Sequence, residues 1–254
     1  MITALSIDRG GLGRFGNQAF TIAGVIGIAI KSGQPYAFPE WKTIDNAIFG
    51  DPVDNIEDYL LHPLPRVADL NFQQYGYFWG YRDIVLPHGN WTIDAHMQSY
   101  KFFNHCIDEV RRVFTFKDEP EQNDYVAIHY RAGDYQDDAT AQHPRCSKEY
   151  YLQAILDHFR RDKFIIFTDD IPAAKELFGD PTLTKYANGS YIEDFKLMKR
   201  CKHFITANSS FSLMAALLGN HPDKKIIMPS RWFGSSMPPE FTTHDIYPEN
   251  AIII

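Results

Sequence analysis

The sequence predicts an α/β protein whose second half is built on a parallel sheet, and three observations lead there. From Asp124 onward, short apolar runs alternate with helical patterns, the rhythm of βαβ units. Near its start the chain reads as a strand, a glycine-rich loop and a helix. At 254 residues it has room for two domains, which we place at 1–120 and 121–254.

Ala4 to Ile7 reads as a strand that enters Asp8-Arg9-Gly10-Gly11-Leu12-Gly13-Arg14-Phe15-Gly16. A helix from about Asn17 to Ser32 follows and is closed by Gly33. Its apolar stretch, Ala19–Ile30, is interrupted by Thr21, Gly24 and Gly27 and is too short to cross a bilayer, so it reads as buried. Between residues 35 and 120, Pro63, Pro65, Tyr75, Tyr77, Phe78, Trp79 and Tyr81 interrupt any period, and the stretch reads as helices and long loops forming one wall of a cleft. Tyr125–His129 is the next strand. Ser147 can cap a helix on which Tyr151, Leu152, Ile155, Leu156 and Phe159 share a face. Strand Lys163–Thr168 ends at Asp169-Asp170, with Pro172 in the first turn of the following helix. A helix over about Ile192–Arg200 precedes strand His203–Ala207, which ends at Asn208-Ser209-Ser210. Helix Phe211–Leu218 stops at Gly219, and Ile226–Met228 is the last strand. The strand ends at Arg131, Asp169 and Asn208 therefore point the same way and line one crevice.

Charge and cysteine content narrow the function. With 25 basic and 32 acidic residues the net charge is −7, and no Lys/Arg run is long enough to form a basic patch, which argues against nucleic acid as a partner. Small anions stay open, because one or two placed arginines suffice. The three cysteines, Cys106, Cys146 and Cys201, form no C-x-x-C, as reduced thiols do, and no H-E-x-x-H occurs. Met1-Ile2-Thr3-Ala4-Leu5 lacks the features of an export signal, and without a transmembrane segment the expectation is a soluble cytoplasmic protein.

Arg131 stands where a buried strand runs out into a loop, and its planar fork matches a pair of phosphate oxygens. The alternative is an Arg131–Asp134 ion pair that stiffens the turn. Asn208-Ser209-Ser210-Phe211-Ser212 sits at a helix amino end, where backbone N–H groups favour an anion; ordinary capping by Ser209 or Ser210 is the competing reading. Asp169 and Asp170 either cap the Pro172 helix or bind metal, although they form no D-x-D. Gly11-x-Gly13-x-x-Gly16 matches the dinucleotide fingerprint, with Glu40 as its ribose acid, which would make the chain an NAD(P)-dependent oxidoreductase.

Gly13-Arg14-Phe15-Gly16-Asn17-Gln18, Gln98-Ser99-Tyr100-Lys101-Phe102-Phe103, His129 to Tyr135, Cys146 to Tyr151, Phe167 to Asp170 and Glu193 through Ser212 resemble, in that order, the α-1,2-fucosyltransferases of glycosyltransferase family 11. The sequence departs from the family at Ala132, where a second arginine is usual, and at Leu213-Met214, where Trp-Trp is usual. The resemblance implies a GT-B-like fold, two Rossmann-type domains facing a cleft, with a parallel sheet in the C-terminal one. It also implies a GDP-β-L-fucose donor substrate, a carbohydrate acceptor, inversion at the anomeric carbon, no metal and no cofactor. The donor would lie among Gly13, Arg14, Phe15, Gly16, His129, Arg131, Asp169, Asn208, Ser209, Ser210 and Phe211. Arg131, Asn17 and Asp8 would carry catalysis, and Asp8, Asp134 and His96 are the candidate bases. A non-catalytic sugar-nucleotide-binding protein would keep Arg131 and lack a working acceptor site.

Overall fold

The structure, a computed structural model, describes residues 1–9, 13–43, 54–135, 137, 138, 140–179 and 184–254. They form two units: Met1–Asp118 with His244–Ile246, and Glu119–Thr243 with Tyr247–Ile254.

The first unit contains β1 (Ile2–Thr3), α1 (Phe15–Lys31), β2 (Lys42–Thr43), β3 (Asp54–Asn55), β4 (Gln73–Tyr75), β5 (Trp91–Ile93) and α2 (Ile107–Val113). Where a strand over Ala4–Ile7 was expected, Leu5–Arg9 is a 3-10 helix. Side chains explain the difference: Leu5 N–H donates to Thr92 Oγ1 at 3.1 Å and Ser6 N–H to Asp94 Oδ1 at 3.0 Å, so amides that a strand would commit to a ladder are satisfied by side chains at and just after β5. The stretch expected to hold only helices and loops also supplies two strands of a parallel sheet ordered β1-β5-β4. Each is three residues long, too short for a period of two to be visible in the sequence.

Helix α1 is the core of this unit, and every residue from Gln18 to Ala29 is buried. Two glycines set how closely it packs. A Cβ on Gly27 would overlap the Phe102 carbonyl, and one on Gly24 would lie 2.8 Å from Met97 Sδ. Phe15 stacks on Trp41 with ring centroids 5.3 Å apart, and Trp41 Nε1–H donates to Gln18 Oε1 at 2.8 Å, which satisfies both buried polar groups.

The second unit contains β6 (Val126–Tyr130), α3 (Lys148–His158), β7 (Phe164–Thr168), α4 (Ile171–Phe178), β8 (Thr184–Tyr186), α5 (Tyr191–Lys199), β9 (His203–Ile205), α6 (Ser210–Leu218), β10 (Ile226–Met228) and β11 (Ala251–Ile253). Its strands make one parallel sheet in the order β11-β10-β9-β6-β7-β8, with Ile128 of β6 flanked by Ile166 and Ile205. An all-parallel sheet places every strand's carboxyl end on one edge, so the three expected strand ends do share it. Strands β8 and β11 were not anticipated. Ser147 caps α3 as expected, its Oγ accepting from Tyr150 N–H at 3.3 Å. The buried face is different, however: Tyr150, Tyr151 and Ala154 turn inward, while Leu152 and Leu156 are 38% and 53% exposed. Hydroxyls fix that rotation, because Tyr150 donates to Thr206 O at 2.7 Å and Tyr151 to His129 O at 2.9 Å.

Candidate functional site

Strand β6 is the turning point of the second unit. The chain proceeds from β6 to β7 and β8 on one side, then returns to lay β9 against the other side of β6 and continues through β10 to β11. Ligands of open α/β sheets bind outside the carboxyl ends at such a reversal. Here that position lies between the loop after β6, which begins at Arg131, and the segment Asn208–Ser210 that leads into α6.

The Arg131–Asp134 ion pair is present in the geometry. Arg131 Nη2 donates to Asp134 Oδ1 and its Nη1 to Asp169 Oδ2, each at 2.6 Å, and the guanidinium lies 5.6 Å from the Tyr135 ring centroid. Asp169 does more than pair with it. Its Oδ1 accepts from Ala132 N–H at 2.8 Å and Gly133 N–H at 3.0 Å, so this carboxylate shapes the loop that carries the arginine. The contact is tight enough that a Cβ on Gly133 would come 2.7 Å from Asp169 Oδ2. The helix after Asp169 is capped by Asp170, whose Oδ1 accepts from Ala173 N–H at 3.0 Å, so the two aspartates divide the roles. Among the described residues no group of His, Cys, Asp and Glu is arranged to hold a metal.

The other side of the reversal is a mixture of scaffold and surface. Asn208 is 2% exposed, and its Nδ2 donates to Pro144 O at 2.9 Å and Trp232 O at 2.8 Å, while its own carbonyl accepts from Tyr135 OH at 3.0 Å. Its amide is therefore committed to holding loops together. His129 is buried as well. Its Nδ1 lies 2.9 Å from Ser212 Oγ and its ring packs on Phe211, and burial, with the nearby Arg131 charge next, pushes its imidazole down to about 3. A histidine held neutral in this way contributes no positive charge to an anion site. Ser209 is the N-cap residue of α6 but makes no side-chain cap bond, in contrast to Ser147, Asp170 and Ser190 on α3, α4 and α5. Ser209, Ser210 and Phe211 are half-buried at the helix amino end. Beyond β10 lies a pocket of about 470 Å³ lined by Ser230, Trp232, Phe233, Met237 and Phe241.

The first unit holds the remaining candidates. Gly13 has φ +92°, a left-handed conformation, and a Cβ there would also meet Asn17 Nδ2 at 2.6 Å. The helix expected from about Asn17 begins at Phe15 with Arg14 as N-cap residue, so Asn17 lies in the first turn. Its Oδ1 accepts from Gln98 Nε2 at 2.8 Å. Phe15 is 3% exposed and Gly16 is buried. Asp8 is half-buried in the 3-10 helix. The dinucleotide reading fails on local geometry, since β1 ends at Thr3 and a 3-10 helix stands where the strand–loop–helix turn requires a strand; Gly11 lies outside the described residues.

Residues 68–245 match the family model for glycosyl transferase family 11. The chain belongs to glycosyltransferase family 11. The α-1,2-colitosyltransferase of Escherichia coli is 31% identical over 62% of this chain and 60% of its own length, and the E. coli O-antigen biosynthesis glycosyltransferase WbnK is 31% identical over 46% of this chain and 41% of its own. The galactoside α-(1,2)-fucosyltransferase 2 of Oryctolagus cuniculus is 25% identical over 82% of this chain and 65% of its own. The matches thus span between 41% and 65% of these relatives' lengths. Among solved structures, that of the α-1,6-fucosyltransferase NodZ soaked with GDP-fucose aligns with a TM-score of 0.49 at 15% identity, over 85% of this chain and 91% of that one.

Within this family 11 chain, Ala132 carries only a methyl group where the family pattern has its second arginine, yet the loop does hold a second guanidinium. Arg145 Nη2 donates to Ala132 O at 2.9 Å and Tyr135 O at 3.2 Å, and its Nη1 pairs with Asp137 at 3.1 Å. Sequence reading missed it because the contact closes a ten-residue loop that no periodicity reports. Asp194, part of the family-like segment that starts at Glu193, is half-buried in the first turn of α5, and its carboxyl is pushed up to about 6, chiefly by burial.

Proposed function

We propose that this family 11 protein moves L-fucose from GDP-β-L-fucose to a hydroxyl of a galactose-type acceptor, forming an α-1,2 linkage with inversion. What supports the reading is that Arg131 and α6, whose N-cap residue Ser209 makes no side-chain cap bond, both follow neighbouring strands that end on the same edge of the sheet, in a chain whose family transfers sugars. Two relatives bear α-1,2 linkage in their names and differ in the sugar moved, so the linkage has the broader support.

As the bond from the anomeric carbon to the diphosphate breaks, the acceptor oxygen approaches from the opposite face and about one extra negative charge develops on the leaving GDP. Arg131 and the first turn of α6 meet that charge, an arrangement of fixed donors that needs no metal. Arg131 arrives with two carboxylates in attendance. Asp169 is tied to the loop backbone, so the diphosphate takes the place of Asp134 on the guanidinium while Asp169 keeps it aimed. Arg145 fixes the loop from behind, and the pocket lined by Trp232 and Phe233 receives part of the donor.

The test is a matrix of donors and acceptors read as nucleotide release: GDP-fucose, GDP-colitose, GDP-mannose and UDP-galactose against β-galactosides and β-glucosides. GDP-fucose with a β-galactoside is expected to turn over fastest. Release of UDP rather than GDP, or release that no acceptor accelerates, refutes the proposal.

A further inference from the structure

From Asp94 to Ser99 the burial alternates: Asp94, His96 and Gln98 are half-buried, while Ala95, Met97 and Ser99 are buried. Asp94, His96 and Gln98 are thus the three less covered side chains of this segment. The outer two are committed. Asp94 accepts from Ser6, which positions the 3-10 helix bearing Asp8, and Gln98 donates to Asn17 in the first turn of α1. The middle one is not. His96 Nδ1 is sealed from solvent with no hydrogen-bond partner among the described residues, whereas Nε2 is not sealed in that way.

Two aromatic rings frame the same imidazole. Trp79 lies 5.4 Å and Tyr77 6.1 Å from it, centroid to centroid, each edge-on at 67° and 87°. Tyr77 is 56% exposed, a large apolar ring left in water, on the chain segment just after β4. An aromatic ring left in water costs free energy, and a ligand with an apolar face and a polar rim recovers that cost. A pyranose has a C–H face that covers an aromatic ring and a rim of hydroxyls. A hydroxyl donates and accepts, so it pairs with Nε2 in either tautomer of a neutral ring. Burial holds His96 below the usual histidine range, which keeps it neutral near pH 7.

We propose that Tyr77, Trp79 and His96 form the acceptor-sugar subsite, in which the two rings take the C–H face of a galactopyranoside and His96 Nε2 hydrogen-bonds one of its hydroxyls. The inference rests on the transferase reading for the identity of the sugar, and on the first unit alone for its geometry. His96 here orients the acceptor; the hydroxyl's proton is left to another group or to solvent.

The experiment is direct binding, without turnover. Methyl β-D-galactopyranoside is titrated into the full-length protein and into Tyr77→Ala, Trp79→Ala and His96→Ala, with ligand-detected NMR as readout and GDP binding and melting temperature as controls. Wild type is expected to show saturable binding that each variant weakens at least about fivefold, with GDP binding unchanged. Tyr77→Phe, which keeps the ring, is expected to bind as wild type does. In acceptor kinetics, His96→Ala should raise the acceptor KM by a larger factor than it lowers kcat. Unchanged galactoside binding in correctly folded Tyr77→Ala and His96→Ala overturns the proposal, as does a wild-type protein that binds GDP and no galactoside. Saturable, Tyr77-dependent galactoside binding by a protein that fails to use GDP-fucose would refute the donor assignment and leave this subsite standing.

Discussion

At the residue scale, Arg131 is the side chain whose chemistry is most constrained. Two carboxylates grip its separate nitrogens and Tyr135 lies against it, a geometry that a planar fork satisfies and an ammonium does not. Arg131→Lys is therefore expected to lower kcat about 10²–10³-fold, nearly as much as Arg131→Ala; a lysine variant with most of the wild-type kcat would remove Arg131 from the leaving-group site. His129 gives a second expectation, in pH. Its folded pKa is depressed to about 3 against about 6.5 in an unfolded chain, so below pH 6.5 the unfolded state binds a proton that the folded state refuses. The stability it contributes is whole above pH 6.5 and is lost as pH falls toward 3, at a slope of about 1.4 kcal/mol per pH unit. Urea unfolding at pH 7.5, 6 and 5 should show His129→Gln starting lower, for want of the Ser212 contact, and losing less on acidification. Equal slopes would mean that the imidazole titrates normally in the fold.

At the scale of elements, α1 shows how closely one helix approaches its neighbours. Gly27→Ala places a methyl against the Phe102 carbonyl, which is backbone and has nowhere to go. A net loss of about 1–3 kcal/mol is expected, despite the roughly 1 kcal/mol that alanine gains in a helix. Gly24→Ala meets the Met97 side chain instead and should cost less, since a thioether can turn aside. Urea midpoints for the two variants decide it. How legible each element was followed from its length and the distance to its partner. Strands β6 and β7, five residues each and joined by a helix, were readable along the chain. Strand β1 finds its partner at Trp91, and no local pattern announces a pairing across so much chain. The same limit applied to the site. Strand ends pointed to Arg131, Asp169 and Asn208, but that Asp169 shapes the Arg131 loop depends on the β6–β7 register, Tyr130 beside Thr168, which only the folded sheet supplies.

At the scale of the whole molecule, charge stabilisation from arginine and a helix end predicts that turnover persists in excess EDTA. Rates with and without chelator, at fixed GDP-fucose and acceptor, are expected to agree within about twofold; abolition by EDTA with recovery on one divalent ion would replace this mechanism with a metal-assisted one. No helix of the described chain is long and apolar enough to cross a membrane. The division into units has one more implication. The chain leaves the first unit at Asp118, yet His244–Ile246 return to it, where Asp245 accepts from Tyr81 N–H at 3.0 Å and faces Lys101 at 3.5 Å; only then does β11 close the edge of the second sheet. Anyone grafting a foreign nucleotide-binding half onto this chain would thus need two splice points. A single join near residue 118 would bring in someone else's residues 244–246 and leave Tyr81 and Lys101 without their carboxylate, so donor specificity in such a chimera has to be exchanged between the two seams and not at one.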